Sequence, residues 1–188
     1  MISVKWTLHK PEVRELVLAC CRHLREQAKL VKNPCIVMDI DDTALICRTT
    51  RIIRNEPLYI IYKYALKHDI KVFFVTARRA SFPTQLWTMQ QLALLGYDQY
   101  HGITLMPRRF VVQRTASRYK WQVRSELVRR GHTVLINVGD QWSDLLVLPV
   151  PGSTPRECAS PHQHYGLVAE SQPATLMVKL PNHKYVVP

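Results

Sequence analysis

Four short, almost uninterrupted apolar runs, separated by longer stretches with helical periodicity, constrain the fold more than any other feature of this sequence. Such runs are typical of strands that are buried on both faces of a sheet. The predicted strands are Cys35–Met38, Lys71–Thr76, Ile103–Met106 and Thr133–Val138. Strands that alternate with helices favour a parallel sheet, because the crossover helices cover its two faces. The sequence therefore predicts an α/β fold with a doubly wound, Rossmann-like parallel sheet.

Stretches with helical periodicity fill the intervals between these runs. Apolar residues recur there at three- and four-residue spacing, as on the buried side of a helix that lies on a sheet. The predicted helices are Pro11–Lys29, Pro57–His68, Thr84–Leu95 and Ser117–Arg130. Farther along, the prolines of Leu148–His164 predict a loop, and two short strands, Tyr165–Ala169 and Thr175–Lys179, are predicted after it.

The chain has 188 residues, which is enough for one well-buried core and too few for two domains of ordinary size. We predict a single domain, with an N-terminal helix and lead-in over residues 1–33, a core over 34–147, and a loop with short strands over 148–188. No interval between the predicted strands is long enough for a large lid. A minimal cap domain, or none, is therefore expected.

The N-terminal part of the sequence lacks the features of an export signal or a membrane anchor. Charged residues bound the longest early apolar run, Leu16–Cys21, which is also too short for a membrane span. The five cysteines are odd in number and lack paired C-x-x-C spacing. These features favour a reduced, intracellular and cytoplasmic protein without membrane association.

The formal net charge of +12, from 26 Lys and Arg against 14 Asp and Glu, favours anionic partners. A basic surface that only aids solubility would give the same composition. Composition therefore leaves two alternatives open, namely an anionic substrate such as a nucleotide or nucleic acid, and a simple solvated surface.

Aspartates are concentrated directly after two of the predicted strands. Five of the seven fall there, namely Asp39, Asp41, Asp42, Asp140 and Asp144. The carboxyl ends of parallel strands meet at one edge of a sheet, where α/β proteins bind their ligands. Carboxylates packed together repel one another unless a cation compensates, and ligation by oxygen alone favours Mg²⁺ over Zn²⁺. The sequence therefore predicts a Mg²⁺ site at this edge.

The residues at these strand ends also resemble a known family. The sequence D-I-D-D-T at residues 39–43 resembles the D-x-D-x-T signature of haloacid dehalogenase (HAD) superfamily phosphatases. The other motifs follow in the same order: a strand that ends at Thr76, the helix residue Lys120, and G-D-Q-W-S-D at residues 139–144. Together with the late K-L-P-N, they look most similar to acid phosphatase subfamily IIIB, which includes plant acid phosphatases and bacterial class B acid phosphatases. The order Asp, Thr, Lys, Asp differs from that of a phosphoryl-receiver domain.

The resemblance extends over roughly Cys35–Asn182 and implies a role for each motif residue. Asp39 is expected to attack phosphorus and form an aspartyl phosphate. Asp41 is expected to protonate the leaving oxygen and then to take a proton from the hydrolytic water. Thr76 and Lys120 are expected to hold the phosphoryl oxygens.

The resemblance also implies how Mg²⁺ would be bound. Its expected ligands are the carboxylates of Asp39 and Asp140 and the backbone carbonyl of Asp41. Asp144 completes the metal site, where it is expected to orient a bound water rather than to bind the ion directly. Asp42 is interpreted as a turn residue, and Trp142 as a packing residue that could also border the pocket.

Lid-poor members of this family tend to have open sites, and several arginines are predicted to surround the entrance here. They are Arg78, Arg79, Arg108, Arg109, Arg114 and Arg118. We therefore expect a hydrolase of phosphomonoesters, with nucleotides or polynucleotide ends as candidate substrates. A catalytically silent binding or storage protein and a phosphotransferase remain as alternatives, and the oligomeric state is open. One departure from the family pattern is Ala77, where Gly is common after the motif Thr.

Overall fold

The computed structural model describes residues 9–48, 51–112, 116–145, 166–169 and 175–180. The helices are α1 (Pro11–Gln27), α2 (Glu56–Lys67), α3 (Phe82–Leu94), α4 (Arg108–Val112), α5 (Ala116–Arg129) and α6 (Trp142–Leu145). The strands are β1 (Pro34–Met38), β2 (Leu45–Cys47), β3 (Ile52–Arg54), β4 (Lys71–Arg79), β5 (Gly102–Met106), β6 (Thr133–Gly139), β7 (Gly166–Ala169) and β8 (Leu176–Lys179).

One sheet organises the fold, with the strand order β5-β4-β1-β6-β8-β7. The first five strands in this order are parallel, and β7 pairs with β8 in the antiparallel direction at the edge. The strands β2 and β3 form a separate antiparallel hairpin. The predicted α/β class with a doubly wound parallel sheet is confirmed.

The side chains of β1 show why the sheet needs helices on both faces. Ile36 and Met38 belong to a core cluster shared with α1 and α2, whereas Cys35 and Val37 belong to a second cluster shared with α4 and α5. Successive residues of a strand point to opposite faces, so a run that is apolar at every position can only be buried between two layers of helices. This explains the continuous apolar pattern of the sequence.

The register of the three central strands brings their carboxyl ends level. Met38 of β1 is paired with Phe74 of β4 and Val138 of β6. The backbone N–H of Asp39 then donates to the carbonyl of Val138 at 3.0 Å. Residues that follow β1, β4 and β6 therefore come together at one edge of the sheet.

The predicted helices and strands are all present in the described residues, with ends shifted by a few positions. Three further elements were not predicted: the β2–β3 hairpin, α4 and α6. In the described interval between β1 and β4, the hairpin and α2 are the elements present, in agreement with a minimal cap. The predicted loop Leu148–His164 lies outside the described residues, and the single-domain division stays a prediction.

No helix in the described part of the chain is long and apolar enough to cross a lipid bilayer. The cytoplasmic location stays a prediction.

Candidate active site

The carboxyl edge of the sheet carries a pocket of about 240 Å³ that all six predicted site residues line. Asp39 and Asp41 follow β1, Thr76 lies within β4, Asp140 and Asp144 follow β6, and Lys120 reaches the pocket from α5. The other lining residues are Ala77, Arg78, Gln141 and Ser143. The sequence motifs, which span 105 positions from Asp39 to Asp144, are therefore brought to one place.

Lys120 joins two of the carboxylates at the bottom of this pocket. Its Nζ donates to Oδ1 of Asp39 at 2.5 Å and to Oδ1 of Asp144 at 2.6 Å. The side chains are only 5% (Lys120), 7% (Asp39) and 3% (Asp144) exposed. Water is thus almost excluded, and each charge depends on the others for compensation.

The protonation of these groups follows from their burial. Burial is the largest cause that raises the pKa of Asp39, to about 7, although the nearby Lys120 acts in the opposite direction. Burial alone would lower the pKa of Lys120, but the charges of Asp144 and Asp39 raise it overall. Lys120 is therefore a permanent cation near neutral pH, whereas Asp39 holds its proton more tightly than an ordinary carboxyl group.

Asp140 is fixed by the residues around it. Its Oδ1 accepts from the hydroxyl of Thr43 at 3.3 Å, and its Oδ2 accepts from Nε2 of Gln141 at 3.0 Å. Burial, followed by the charges of Asp144 and Asp39, raises the pKa of Asp140 to about 9. The carboxylate is thus held in place in surroundings that disfavour its negative charge.

The three buried aspartates have the chemistry of a divalent-metal site. One oxygen from each of Asp39, Asp140 and Asp144 can be chosen so that all three lie within 4.8 Å of one another. Carboxylate oxygens are the ligands that Mg²⁺ prefers, and a divalent cation would offset the burial that raises the pKa of Asp39 and of Asp140. The donor set therefore fits a hard divalent ion of the type predicted from the sequence.

A glycine allows Asp144 to reach this position. A Cβ atom placed on Gly139 would collide with Cβ and Oδ2 of Asp144. The same Oδ2 accepts from the backbone N–H of Gln141 at 2.8 Å. The loop after β6 therefore folds back over its own strand, and only glycine leaves enough room for it there.

Two side chains hold the backbone of Asp144, and the sequence did not single them out. Nη1 of Arg124 donates to the carbonyl of Asp144 at 2.5 Å, and Nδ2 of Asn137 donates to the same oxygen at 3.1 Å. A signal for Arg124 was present, since it lies four residues after Lys120 and therefore on the same side of α5. Asn137 is a polar residue within an apolar strand, which is also a recognisable signal.

Asp41 has a different partner from the other site carboxylates. Nη2 of Arg78 donates to its Oδ1 at 2.6 Å, and Nε of Arg78 donates to its Oδ2 at 2.8 Å. The Asp41 side chain is 34% exposed, against 8% for Arg78. The sequence placed Arg78 only among the arginines around the entrance, and its pairing with Asp41 is a finding of the structure.

Thr76 is buried and has an oriented hydroxyl. Its Oγ1 accepts from the backbone N–H of Arg78 at 3.1 Å, which leaves the hydroxyl hydrogen available to a bound anion. Ala77 lines the same pocket. Ala77, which occupies the position where the family commonly has glycine, is therefore part of the pocket wall.

Asp42 and Trp142 have the structural roles that the sequence suggested. Asp42 has φ +54°, and its Oδ1 accepts from the backbone N–H of Cys47 at 3.0 Å, which stabilises the turn into the hairpin. Trp142 is not among the pocket-lining residues; its ring packs under Nζ of Lys179, 5.6 Å from the ring centroid. Lys179, from the K-L-P-N stretch, also donates to the backbone carbonyl of Asp140 at 2.7 Å.

The remaining arginines around the entrance are solvent-exposed where they are described. These are Arg79 at the end of β4, Arg108 and Arg109 on α4, and Arg118 on α5. Arg114 lies outside the described residues. The end of β4, the helix α4 that follows β5, and the start of α5 are all at or near the carboxyl edge, so these four arginines lie on the same side of the sheet as the pocket.

Comparison with known proteins agrees with the family that the sequence motifs resemble. A family model described as HAD superfamily, subfamily IIIB (acid phosphatase) matches residues 54–188. The chain therefore belongs to this subfamily. The matched region begins after Asp39 and Asp41, so these two residues are placed by the D-x-D-x-T sequence and by the geometry of the pocket.

Two individual proteins are similar to the chain. Acid phosphatase 1 of Solanum lycopersicum is 34% identical over 86 residues, a match that spans 46% of this chain and only 32% of that protein. The class C acid phosphatase of Bacillus anthracis has 14% identity and a TM-score of 0.45, and the match covers 72% of this chain and 66% of that one.

Proposed function

We propose that the protein is a Mg²⁺-dependent phosphomonoester hydrolase that acts through an aspartyl phosphate on Asp39. The observation that carries this proposal is the contact of Lys120 with both Asp39 and Asp144 in a pocket that also contains Asp41, Thr76 and Asp140. A nucleophile, a proton-transfer group and a cation are thereby combined within one small space.

The reaction would proceed in two displacements. Asp39 attacks phosphorus, and the bond from phosphorus to the leaving oxygen breaks as the bond to the Asp39 carboxylate forms. Asp41 donates a proton to the leaving alcohol. In the second step Asp41 takes a proton from water, the water oxygen attacks phosphorus, and inorganic phosphate leaves with Asp39 restored.

The other pocket residues would stabilise the charge on the phosphoryl group. Lys120 supplies a buried cation, and the hydroxyl of Thr76 can donate a hydrogen bond to a phosphoryl oxygen. Asp39, Asp140 and the backbone carbonyl of Asp41 would hold Mg²⁺, with Asp144 beside them. The ion would supply positive charge that draws the anionic substrate towards Asp39.

The chemistry is tested with p-nitrophenyl phosphate as substrate. We expect turnover that depends on Mg²⁺, is abolished by EDTA, and is lost in Asp39→Asn. The matched control is Asp98→Asn, because Asp98 is exposed and outside the pocket. Activity that survives Asp39→Asn would exclude Asp39 as the nucleophile.

A wider substrate panel and product analysis separate the alternatives. A folded protein that binds Mg²⁺ but turns over no member of a broad phosphomonoester panel would be a binding or storage protein. Transfer of phosphate to an added alcohol, detected as a new phosphate ester, would identify a phosphotransferase.

For the substrate class, we propose nucleotides or polynucleotide ends. The support is the net charge of +12 and the exposed arginines near the carboxyl edge, namely Arg79, Arg108, Arg109 and Arg118. A polyanion that contacts several of them should be bound more weakly as salt rises, because the release of its condensed counterions into solution becomes less favourable. We therefore expect a phosphorylated oligonucleotide end to be preferred over a mononucleotide at low salt, and the preference to disappear at high salt. An equal rate for the two substrates at every salt concentration would exclude polynucleotide ends.

A further inference from the structure

Helix α3 is attached to the molecule by an unusually small apolar contact. Thr88 and Leu92 are its only fully buried side chains. Large apolar residues elsewhere on the helix are exposed, namely Phe82, Leu86, Trp87, Met89 and Leu94. A helix is normally oriented on a sheet by the burial of its apolar face. In α3, where little apolar surface is buried, polar contacts contribute more to fixing its position than they would in such a helix.

Those polar contacts converge on Arg78. Nη1 of Arg78 donates to Oγ1 of Thr88 at 3.0 Å and to Oε1 of Gln91 at 2.8 Å. The guanidinium group also lies over the indole ring of Trp87, 4.6 Å from its centroid. The Thr88 hydroxyl itself donates to the carbonyl of Thr84 at 2.7 Å, which directs its lone pairs towards Arg78.

The opposite side of the same guanidinium group holds Asp41. Nε and Nη2 of Arg78 contact one carboxylate oxygen each, at 2.8 and 2.6 Å. A planar guanidinium has a fixed fork geometry, so fixing Nη1 also fixes the direction of the other two donors. Gln91 and Thr88 do not line the pocket, yet they set the orientation of a group that does.

We propose that Thr88 and Gln91 are positioning residues for proton transfer, because they hold Arg78 and Arg78 holds the carboxylate of Asp41. The proposal rests on the function proposed above, in which Asp41 protonates the leaving oxygen. A general acid has to lie within hydrogen-bond reach of that oxygen, and a displacement of about 1 Å at a reacting group can cost on the order of a hundredfold in rate. Loosening Arg78 from α3 would therefore slow the step that needs the proton.

The leaving group provides the test. p-Nitrophenolate leaves readily without a proton, whereas the alkoxide of an alkyl phosphate does not. We expect Gln91→Leu and Thr88→Val to lower kcat/KM for the alkyl phosphate by about tenfold or more, with a much smaller effect on p-nitrophenyl phosphate. Thr88→Ser keeps the hydroxyl and should restore most of the lost rate. Gln90→Leu makes the same substitution at an exposed position of α3 and should leave both substrates unchanged.

The outcomes separate this inference from the proposed function. An equal fall for both substrates, no fall, or a rise in the alkyl phosphate rate in Gln91→Leu would overturn the positioning role. Asp41→Asn is measured in parallel. If this substitution lowers kcat/KM equally for the alkyl phosphate and for p-nitrophenyl phosphate, the proton-transfer role of Asp41 itself fails. If Asp41→Asn lowers kcat/KM more for the alkyl phosphate and Gln91→Leu does not, only the inference about α3 fails. Thermal unfolding of each variant checks folding, and Gln91, which is only half-buried, remains informative if Thr88→Val does not fold.

Discussion

Two groups of ion pairs in the pocket have nearly the same contact lengths and very different surroundings. We call Lys120 with Asp39 and Asp144 the floor, and Arg78 with Asp41 the rim. The shortest contact is 2.5 Å in the floor and 2.6 Å in the rim. The floor carboxylates are 7% (Asp39) and 3% (Asp144) exposed, whereas the rim carboxylate is 34% exposed.

This difference in exposure determines how much the floor and the rim each contribute to stability and to catalysis. A buried charge that loses its partner keeps its desolvation penalty, which makes breaking a buried pair expensive. The Asp41 carboxylate is 34% exposed and can be solvated by water if it loses its partner, so we expect the rim to contribute less to stability than the floor. We therefore expect the floor to be essential for both folding and chemistry, and the rim to matter mainly for the geometry of proton transfer.

Lys120→Met should produce the largest effect, because it leaves two buried carboxylates without their cation. We expect a loss of about 3–5 kcal/mol in the free energy of unfolding without metal, and a fall in kcat of at least about a hundredfold. Urea denaturation in EDTA measures the free energy of unfolding, and turnover of p-nitrophenyl phosphate measures kcat. The control is Lys63→Met, the same change at an exposed position of α2. A stability equal to that of the unmodified protein would mean that the floor is solvated.

The pH dependence of stability tests the floor without removing its lysine. In the unfolded chain, Asp39 and Asp140 lose their protons near about pH 4, whereas the folded, metal-free protein holds them until about pH 7 and about pH 9. The folded state thus binds more protons between these limits. Its free energy of unfolding should fall as pH rises through the window, by up to about 1.4 kcal/mol per pH unit for each retained proton.

Denaturation in EDTA at a series of pH values measures this slope. Asp140→Asn removes one of the two titrating groups and should make the decline shallower, particularly above pH 7. The difference between the two proteins isolates Asp140 from the other titrating groups of the chain. Identical slopes would contradict the assignment.

Gly139→Ala should have a smaller effect on the floor, through packing alone. The added methyl group would collide with Asp144 and push it away from Lys120, at a cost of about 1–3 kcal/mol in stability. We also expect a weaker dependence of activity on Mg²⁺. Gly102→Ala is the matched control, because its Cβ would meet only the side chain of Phe73, away from the pocket. Unchanged Mg²⁺ activation in Gly139→Ala would show that the loop can relax.

The floor could be predicted from the sequence to a large extent, and the rim could not. Asp39, Lys120 and Asp144 stand at strand and helix positions that follow from apolar periodicity, and parallel pairing brings such positions together. The contact between Arg78 and Asp41 joins residues 37 positions apart. It depends on the directions of two side chains, one in the last residues of β4 and one in the loop after β1, which periodicity does not specify.

Short elements were missed for a related physical reason. The strands β2 and β3 have three residues each, and α6 has four. A hydrophobic period needs more residues than that to be recognised. Asp42 is an example in which a single residue does not identify the structure that it stabilises. Its left-handed backbone and its hydrogen bond to Cys47 stabilise the hairpin, but an aspartate in a turn is compatible with many other structures.

Arg78→Met should have the smallest effect on stability and so completes the comparison. Asp41 is about one-third exposed, so water can solvate its carboxylate once the guanidinium group is removed. Thr88 and Gln91 also lose their hydrogen bonds to Arg78, and we therefore expect a cost of about 1–2 kcal/mol in the free energy of unfolding, well below that of Lys120→Met. The kcat/KM for alkyl phosphates should nevertheless fall, because Asp41 would lose its fixed direction. Urea denaturation of Arg78→Met beside Lys120→Met, under the same metal-free conditions, gives the decisive measurement. Equal losses of stability would mean that exposure does not distinguish the two pairs, and the rim would then have to be counted as part of the structural core of the site.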